Sequence, residues 1–255
     1  MMYQRFTAPT NWIAFPTAIA VTLVSSGGLT ARAQTAADIS TFPALKIVVN
    51  TAADGPVEAD ERLTLREAIS IANGALALDD LSAAERAQVS DAKDAAIVSL
   101  YENEVVSRIE FDLPPDDTTV RLVDALPPLA APGLVLTGRT QPGYDADTSP
   151  TAEIFVPRPV VAMTPERDRS ILRGLTIVAD GVTVRGLSLY GFTVPHGVTA
   201  ATPPADIFIS HRFPPPQLAP ELMPARRGAY RESDVPPKDV AIEENWLGIQ
   251  PDEST

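Results

Sequence analysis

A chain of 255 residues with 45% hydrophobic content can bury a sizeable core, which excludes disorder as a whole and allows one or two domains. A formal net charge of −13 without a basic stripe excludes a nucleic-acid partner, because neutralising phosphates needs clustered Lys and Arg, and it repels anionic polysaccharides unless a divalent cation intervenes. The absence of cysteine excludes a disulfide scaffold, thiol catalysis and thiolate-bound zinc, so stability rests on packing, with oxygen-ligated calcium the one ion left open.

Residues 1–33 have the layout of a secretory signal: Arg5, an apolar run from Trp12 to Val24, and small residues ending in Ala31-Arg32-Ala33. Pro16 and the Ser25-Ser26-Gly27-Gly28 stretch leave that run short for a ~20-residue membrane span, which favours cleavage after Ala33 over an uncleaved anchor. No later segment is apolar enough to span a bilayer, and the expected location is secreted or cell-surface. Ala44 to Val49 reads as a strand and Asp54-Gly55 as a turn. Thr64 followed by Glu67 makes a capping box, in which each side chain satisfies a free N–H of the first helical turn. Leu65, Ala68, Ile69 and Ala72 form the apolar stripe of that helix, and Asn73-Gly74 ends it. A second capping box, Ser82 with Glu85, predicts an alanine-rich surface helix to about Val98.

Strand character resumes at Ser107 to Leu113, where Ile109, Phe111 and Leu113 alternate with polar residues, and again at Val120–Val123 and Leu134–Thr137. Between Ile171 and Phe192 the alternation is densest: Leu175 and Ile177, Val182 and Val184, then Leu187 and Leu189, with Gly181 and Gly186 where the backbone must bend. Strands so short and close together lack hairpin partners, which predicts parallel pairing of coil on coil in a β-solenoid. From 193 to 238 the prolines, among them Pro214-Pro215-Pro216, predict a loop excursion in which Ile207 and Ile209 can form one strand. Residues 239–255 restore the pattern and stop without a cap, so a covering partner or a continuation of the coils is expected at that edge.

Five blocks carry a resemblance to a known family. Asp54-Gly55, then Leu63-Thr64-Leu65-Arg66-Glu67-Ala68-Ile69 with Ala72-Asn73, resembles the CSLREA motif of exported right-handed parallel β-helix proteins, although Leu63 replaces its cysteine. Ile109 to Pro114 with Leu126-Pro127, Gly138 to Tyr144, Gly181 to Leu187 and Asn245 to Ile249 resemble the blocks that follow, in the same order. The resemblance implies export and a mainly β fold: an incomplete right-handed parallel β-helix with an N-terminal capping helix and an extra surface helix. The expected organisation is a signal (1–33), the N-terminal strand and capping helices with a helical insertion (44–107), coils (108–192), the proline-rich excursion (193–238) and a last coil (239–255).

The resemblance brings no mechanism, and the residues point away from one. Arg66 and Glu67 are adjacent on a helix and point about 100° apart, so they cannot share a substrate atom, and Glu67 has its capping duty. Asp79-Asp80, Asp116-Asp117 and Asp145 with Asp147 read as turn residues whose carboxylates bind their own backbone. Only Glu243-Glu244 falls in a coil, and the Asp145 cluster lacks the glycine and distal glutamate of a calcium loop, so no metal or cofactor is assigned. His196 and His211 read as loop residues, and no Gly-x-Ser-x-Gly elbow is present. Thr64, Glu67, Gly181, Gly186 and Asn245 read as structural, Asn245 through left-handed dihedrals and bonding along the stack. Tyr190 and Trp246, with Phe192, are the candidate glycan contacts, as an aromatic platform under a sugar ring, against the commoner role of aromatics at coil corners as core or stacking residues. The expectation is a non-catalytic exported scaffold, adhesin or glycan-contacting module; the alternative is a polysaccharide lyase or glycoside hydrolase, which needs two acids converging on one face.

Overall fold

A computed structural model describes residues 44–91, 106–147, 157–193, 204–210 and 235–251. The signal segment, His196, His211, the prolines between 211 and 234, and residues 92–98 of the expected second helix lie outside the described residues. Among the described residues no helix is long and apolar enough to cross a membrane.

The fold is mainly β, with few helices and parallel sheets. In chain order it runs β1 (Leu45–Val49), α1 (Leu65–Ala72), α2 (Ala83–Arg86), β2 (Val89–Asp91), β3 (Arg108–Phe111), β4 (Thr119–Leu122) and β5 (Val135–Thr137). There follow β6 (Val161–Pro165), β7 (Arg173–Ile177), β8 (Thr183–Arg185), β9 (Leu187–Leu189), β10 (Ala205–Ile209), β11 (Ala241–Glu243) and β12 (Trp246–Leu247). One sheet has the order β2-β1-β3-β5-β8-β11, a second β4-β6-β9-β12, and a third pairs β7 with β10. Every strand pair is parallel except β1 with β2. Parallel neighbours distant in sequence are what short β-branched runs without hairpin turns require.

Register turns the period-two alternation into columns of side chains. Ile47, Ile109, Leu136, Val184 and Ile242 pair successively along the first sheet. Val120, Met163, Leu189 and Leu247 do so along the second, and Leu129, Ile177 and Ile209 along the third. All members but the last of each column are buried, whereas Ile242, Leu247 and Ile209 are 37%, 46% and 45% exposed. Leu175, Ile177, Val182, Val184, Leu187 and Leu189 all lie in the core, as their alternation predicts.

Helix α1 packs against β1 and β3 and buries Leu65, Ala68, Ile69, Ile71 and Ala72. The Thr64–Glu67 capping box is formed at its start. The second capping box is formed too, but its helix is a single turn, α2, which gives way at Val89 to a strand rather than running to Val98. The free edge of β1 explains this departure: its N–H and C=O groups need partners, and β2 supplies them in antiparallel register, with Val89 opposite Ile47. In the excursion, Ala205–Ile209 forms β10 and pairs with β7, so this part of the proline-rich segment belongs to the stacked strands.

Candidate functional site

The charged residues of the N-terminal motif are all engaged locally. Glu67 is buried and accepts from the Thr64 N–H at 2.9 Å, the Thr64 hydroxyl at 2.8 Å and the Glu58 N–H at 3.2 Å. Arg66 points the other way and grips Asp54 in a bidentate pair, Nε to Oδ1 at 2.8 Å and Nη2 to Oδ2 at 2.7 Å. Two further guanidinium N–H groups donate to the carbonyls of Asp124 at 2.9 Å and Ala125 at 2.8 Å, while Asp54 Oδ2 also accepts from the Val123 N–H at 2.9 Å. Asn73 completes the fastening, donating to the Pro128 carbonyl and accepting from the Ala130 N–H. The motif therefore ties its turn and helix to the chain segment that leaves β4.

A second group of polar residues lies at the corner where the first sheet turns toward the second. Thr140 and Gln141 replace a strand there: the Thr140 hydroxyl and Gln141 amide bond the backbones of Phe111 and Leu113. Asn245 repeats the device farther along, accepting from the Leu187 N–H at 3.0 Å and donating to the Val184 carbonyl at 2.8 Å. It bonds along the stack, but the left-handed backbone belongs to its neighbour Glu244, with φ 53°. Gly186, at φ 68°, sits beneath this corner, and a Cβ there would meet Arg139 Cγ at 2.8 Å. Gly181 likewise has a left-handed φ of 71° before β8.

The outer face of the first sheet carries the densest charge. By alternation with the buried column, Lys46, Arg108, Glu110, Thr137, Arg185 and Glu243 project away from the core. Glu110 pairs with Lys46 at 3.3 Å and with Arg108 at 2.8 Å, the latter an ion pair without hydrogen-bond alignment. Arg139 lies 3.3 Å from Glu244, which also accepts from the Tyr144 hydroxyl at 2.9 Å. Burial, then the hydrogen bond and charge of Glu244, push the Tyr144 phenol up to about 12. Burial also lowers the Arg108 pKa; Glu110 opposes this, while Arg185 and Arg139 add to it. Arg185 Nε is buried without a hydrogen-bond partner, and its guanidinium forms no ion pair among the described residues.

The remaining residues proposed from sequence do not converge. The Asp147 N–H bonds Asp145 Oδ1, a turn arrangement, and Asp117 pairs with exposed Arg121. Asp79 and Asp80 occupy an exposed single turn of 3-10 helix. Among the described residues no group of three or more acidic or histidine side chains could hold a metal. The aromatic platform is not assembled: Trp246 is only 8% exposed, in register with buried Ser188 of β9 and with Arg158 6.0 Å from its ring centroid, whereas Phe192 is buried with its ring over Gly174 of β7. Tyr190 is half-buried. Glu244 is more than a surface carboxylate, since Arg139 and Tyr144 both hold it. Sequence reading missed the arginine face. Its only signals were arginines at outward positions beside the corner glycines, Arg139 after Gly138 and Arg185 before Gly186.

The chain matches no family model, no curated protein and no solved structure.

Proposed function

We propose that the chain is an exported, non-catalytic right-handed parallel β-helix that acts at the cell surface or outside the cell as a scaffold, adhesin or glycan-contacting module. The three sheets, with columns passing from strand to strand in parallel register, support the solenoid reading. Right-handedness follows the rule for crossovers between parallel strands of one sheet. The layout of residues 1–33 and the resemblance of the Asp54–Asn73 block support export.

The observation that carries the non-catalytic reading is the use made of the motif's own chemistry. Asp54 and Glu67 are the motif's carboxylates, the groups suited to acid–base work, and each is occupied by backbone N–H groups or by a neighbouring side chain, while Arg66 is held by Asp54 and two backbone carbonyls. A general acid or base must instead reach a substrate proton. The exposed ends of the columns, Ile242, Leu247 and Ile209, support a partner or further coils at that edge, since strand edges beside apolar side chains invite another strand.

Incubating the mature protein with pectate, alginate and neutral glycans, with and without calcium, tests this reading. Retention of neutral glycan without cleavage is expected. Calcium-dependent release of unsaturated or reducing ends would overturn it in favour of a polysaccharide lyase or glycoside hydrolase.

A further inference from the structure

The outer face of the first sheet holds more positive charge than its carboxylates satisfy. Glu110 serves both Lys46 and Arg108, and Glu244 serves Arg139. Arg185 is left over. It stands in register between Thr137 and Glu243, yet forms no ion pair with Glu243, and its Nε is withdrawn from water without a partner. The Arg139 stem lies against Gly186, next to Arg185, and the Gly138 N–H bonds the Arg185 carbonyl, while the charges of Arg185 and Arg139 are both felt at Arg108. Holding a further guanidinium beside two that are already paired is unfavourable without an anion of its own, and a desolvated N–H without an acceptor adds to the cost. A planar guanidinium fork is matched by a carboxylate, which takes two parallel N–H donors.

We propose that Arg185, flanked by Arg108 and Arg139, binds the carboxylate of a single acidic sugar residue on a short glycan, an inference that rests on the glycan-contact reading above. The overall charge selects a short ligand. At −13 the protein repels a long polyanion, whereas one carboxylate in contact with the arginines is shielded from distant charges beyond a Debye length of about 8 Å at physiological ionic strength. Tyr144 and Glu244 hold Arg139 beside this position, and Gly186, lacking a Cβ, lets the Arg139 stem lie across the corner.

The test is calorimetric titration of the full mature chain with galacturonate and glucuronate. Galactose and glucose serve as neutral counterparts, and inorganic sulfate and phosphate as the alternative source of an oxyanion. The uronates should bind at least tenfold more tightly than the neutral sugars and the inorganic ions. R185Q should weaken uronate binding tenfold or more, R185K by less because it keeps the charge but loses the fork, and R121Q, on an exposed ion pair of β4, should leave it unchanged. Equal uronate affinity in wild type and R185Q, or no uronate binding at all, would overturn the proposal. Inorganic ions binding as tightly as uronates would also overturn it, by removing the saccharide. Should R185Q fail to fold, R185K decides, since an affinity equal to wild type would refute the fork. Neutral-glycan retention that survives in R185Q would leave the glycan-contact reading standing while the arginine site falls; glycan cleavage would remove that reading itself.

Discussion

Replacing Asp54 by alanine tests whether the N-terminal motif is a fastening of the fold. In the native protein Asp54 is 2% exposed at its side chain and Arg66 14%, and the two share the bidentate contacts at 2.8 and 2.7 Å. The substitution removes both, leaves the Val123 N–H without its acceptor, and strands a largely desolvated guanidinium with only the carbonyls of Asp124 and Ala125. Breaking a buried pair by deleting one partner costs roughly 3–5 kcal/mol; the partial exposure of Arg66 puts this case near the lower end, about 3 kcal/mol. For a domain of this size that lowers the melting temperature by roughly 6–12 °C. Urea and thermal unfolding of D54A, R66M and the double variant form a cycle. Because each single change strands the other charge, the double variant should be less destabilised than the sum of the singles, by about 2 kcal/mol. Single variants costing under about 0.5 kcal/mol, or costs that add without coupling, would refute the fastening role.

Other perturbations follow from the corner and the outer face. Y144F should cost about 1 kcal/mol in chemical unfolding by removing the bond to Glu244. It should also flatten the alkaline limb of the stability profile. The Tyr144 pKa is raised from 10.0 to about 12, so its protonated form is favoured in the folded state; that stability is full below pH 10 and is lost as pH rises toward 12, and solvent screening holds it to about 1 kcal/mol. N245A leaves the Leu187 N–H without its acceptor and removes the amide donor to the Val184 carbonyl, and should cost about 1–3 kcal/mol, read from urea midpoints. G186A should destabilise by about 1–2 kcal/mol, since φ 68° and the Arg139 stem both oppose a methyl group, whereas G55A, with open space around it, should be near neutral. Replacing Glu243, Asp145 or Asp147 by alanine should change stability by no more than about 0.5 kcal/mol and leave glycan retention within a few fold in a pull-down.

The parallel stacking was legible because it depends on local alternation. Val182 and Val184, or Leu187 and Leu189, bear the same relation to the core whatever lies between the coils, and the glycines between them mark the bends. Capping boxes are legible for the same reason, being confined to four residues. What the second capping box could not reveal is how far its helix runs. The alanine content after Ser82 favours helix, yet the open edge of β1 supplies hydrogen-bond partners for Val89–Asp91 that no local propensity encodes. The place of Trp246 stayed open for a related reason: a ring at the end of a short strand is exposed or buried according to the neighbouring coil, and here β9 stacks beside it.

The polar network was less legible because its pairs are set by register across long connections. Asp54 with Arg66 lies within one motif, but the acceptors Asp124 and Ala125 come from the chain after β4, and Tyr144 finds Glu244 only because β5, β8 and β11 are adjacent. In a stack of this kind the residues that meet on an outer face are those at equal register, Thr137, Arg185 and Glu243, and the connections between these strands differ in length. Sequence spacing therefore carries no fixed period from which to read an outward row. The inward rows escape this difficulty because any aliphatic side chain serves at any level, whereas an outward arginine acquires meaning only from the particular side chain above or below it. This is why function in such a chain has to be sought in rungs, and why Arg185, ordinary in its local sequence, is the residue on which the ligand hypothesis turns.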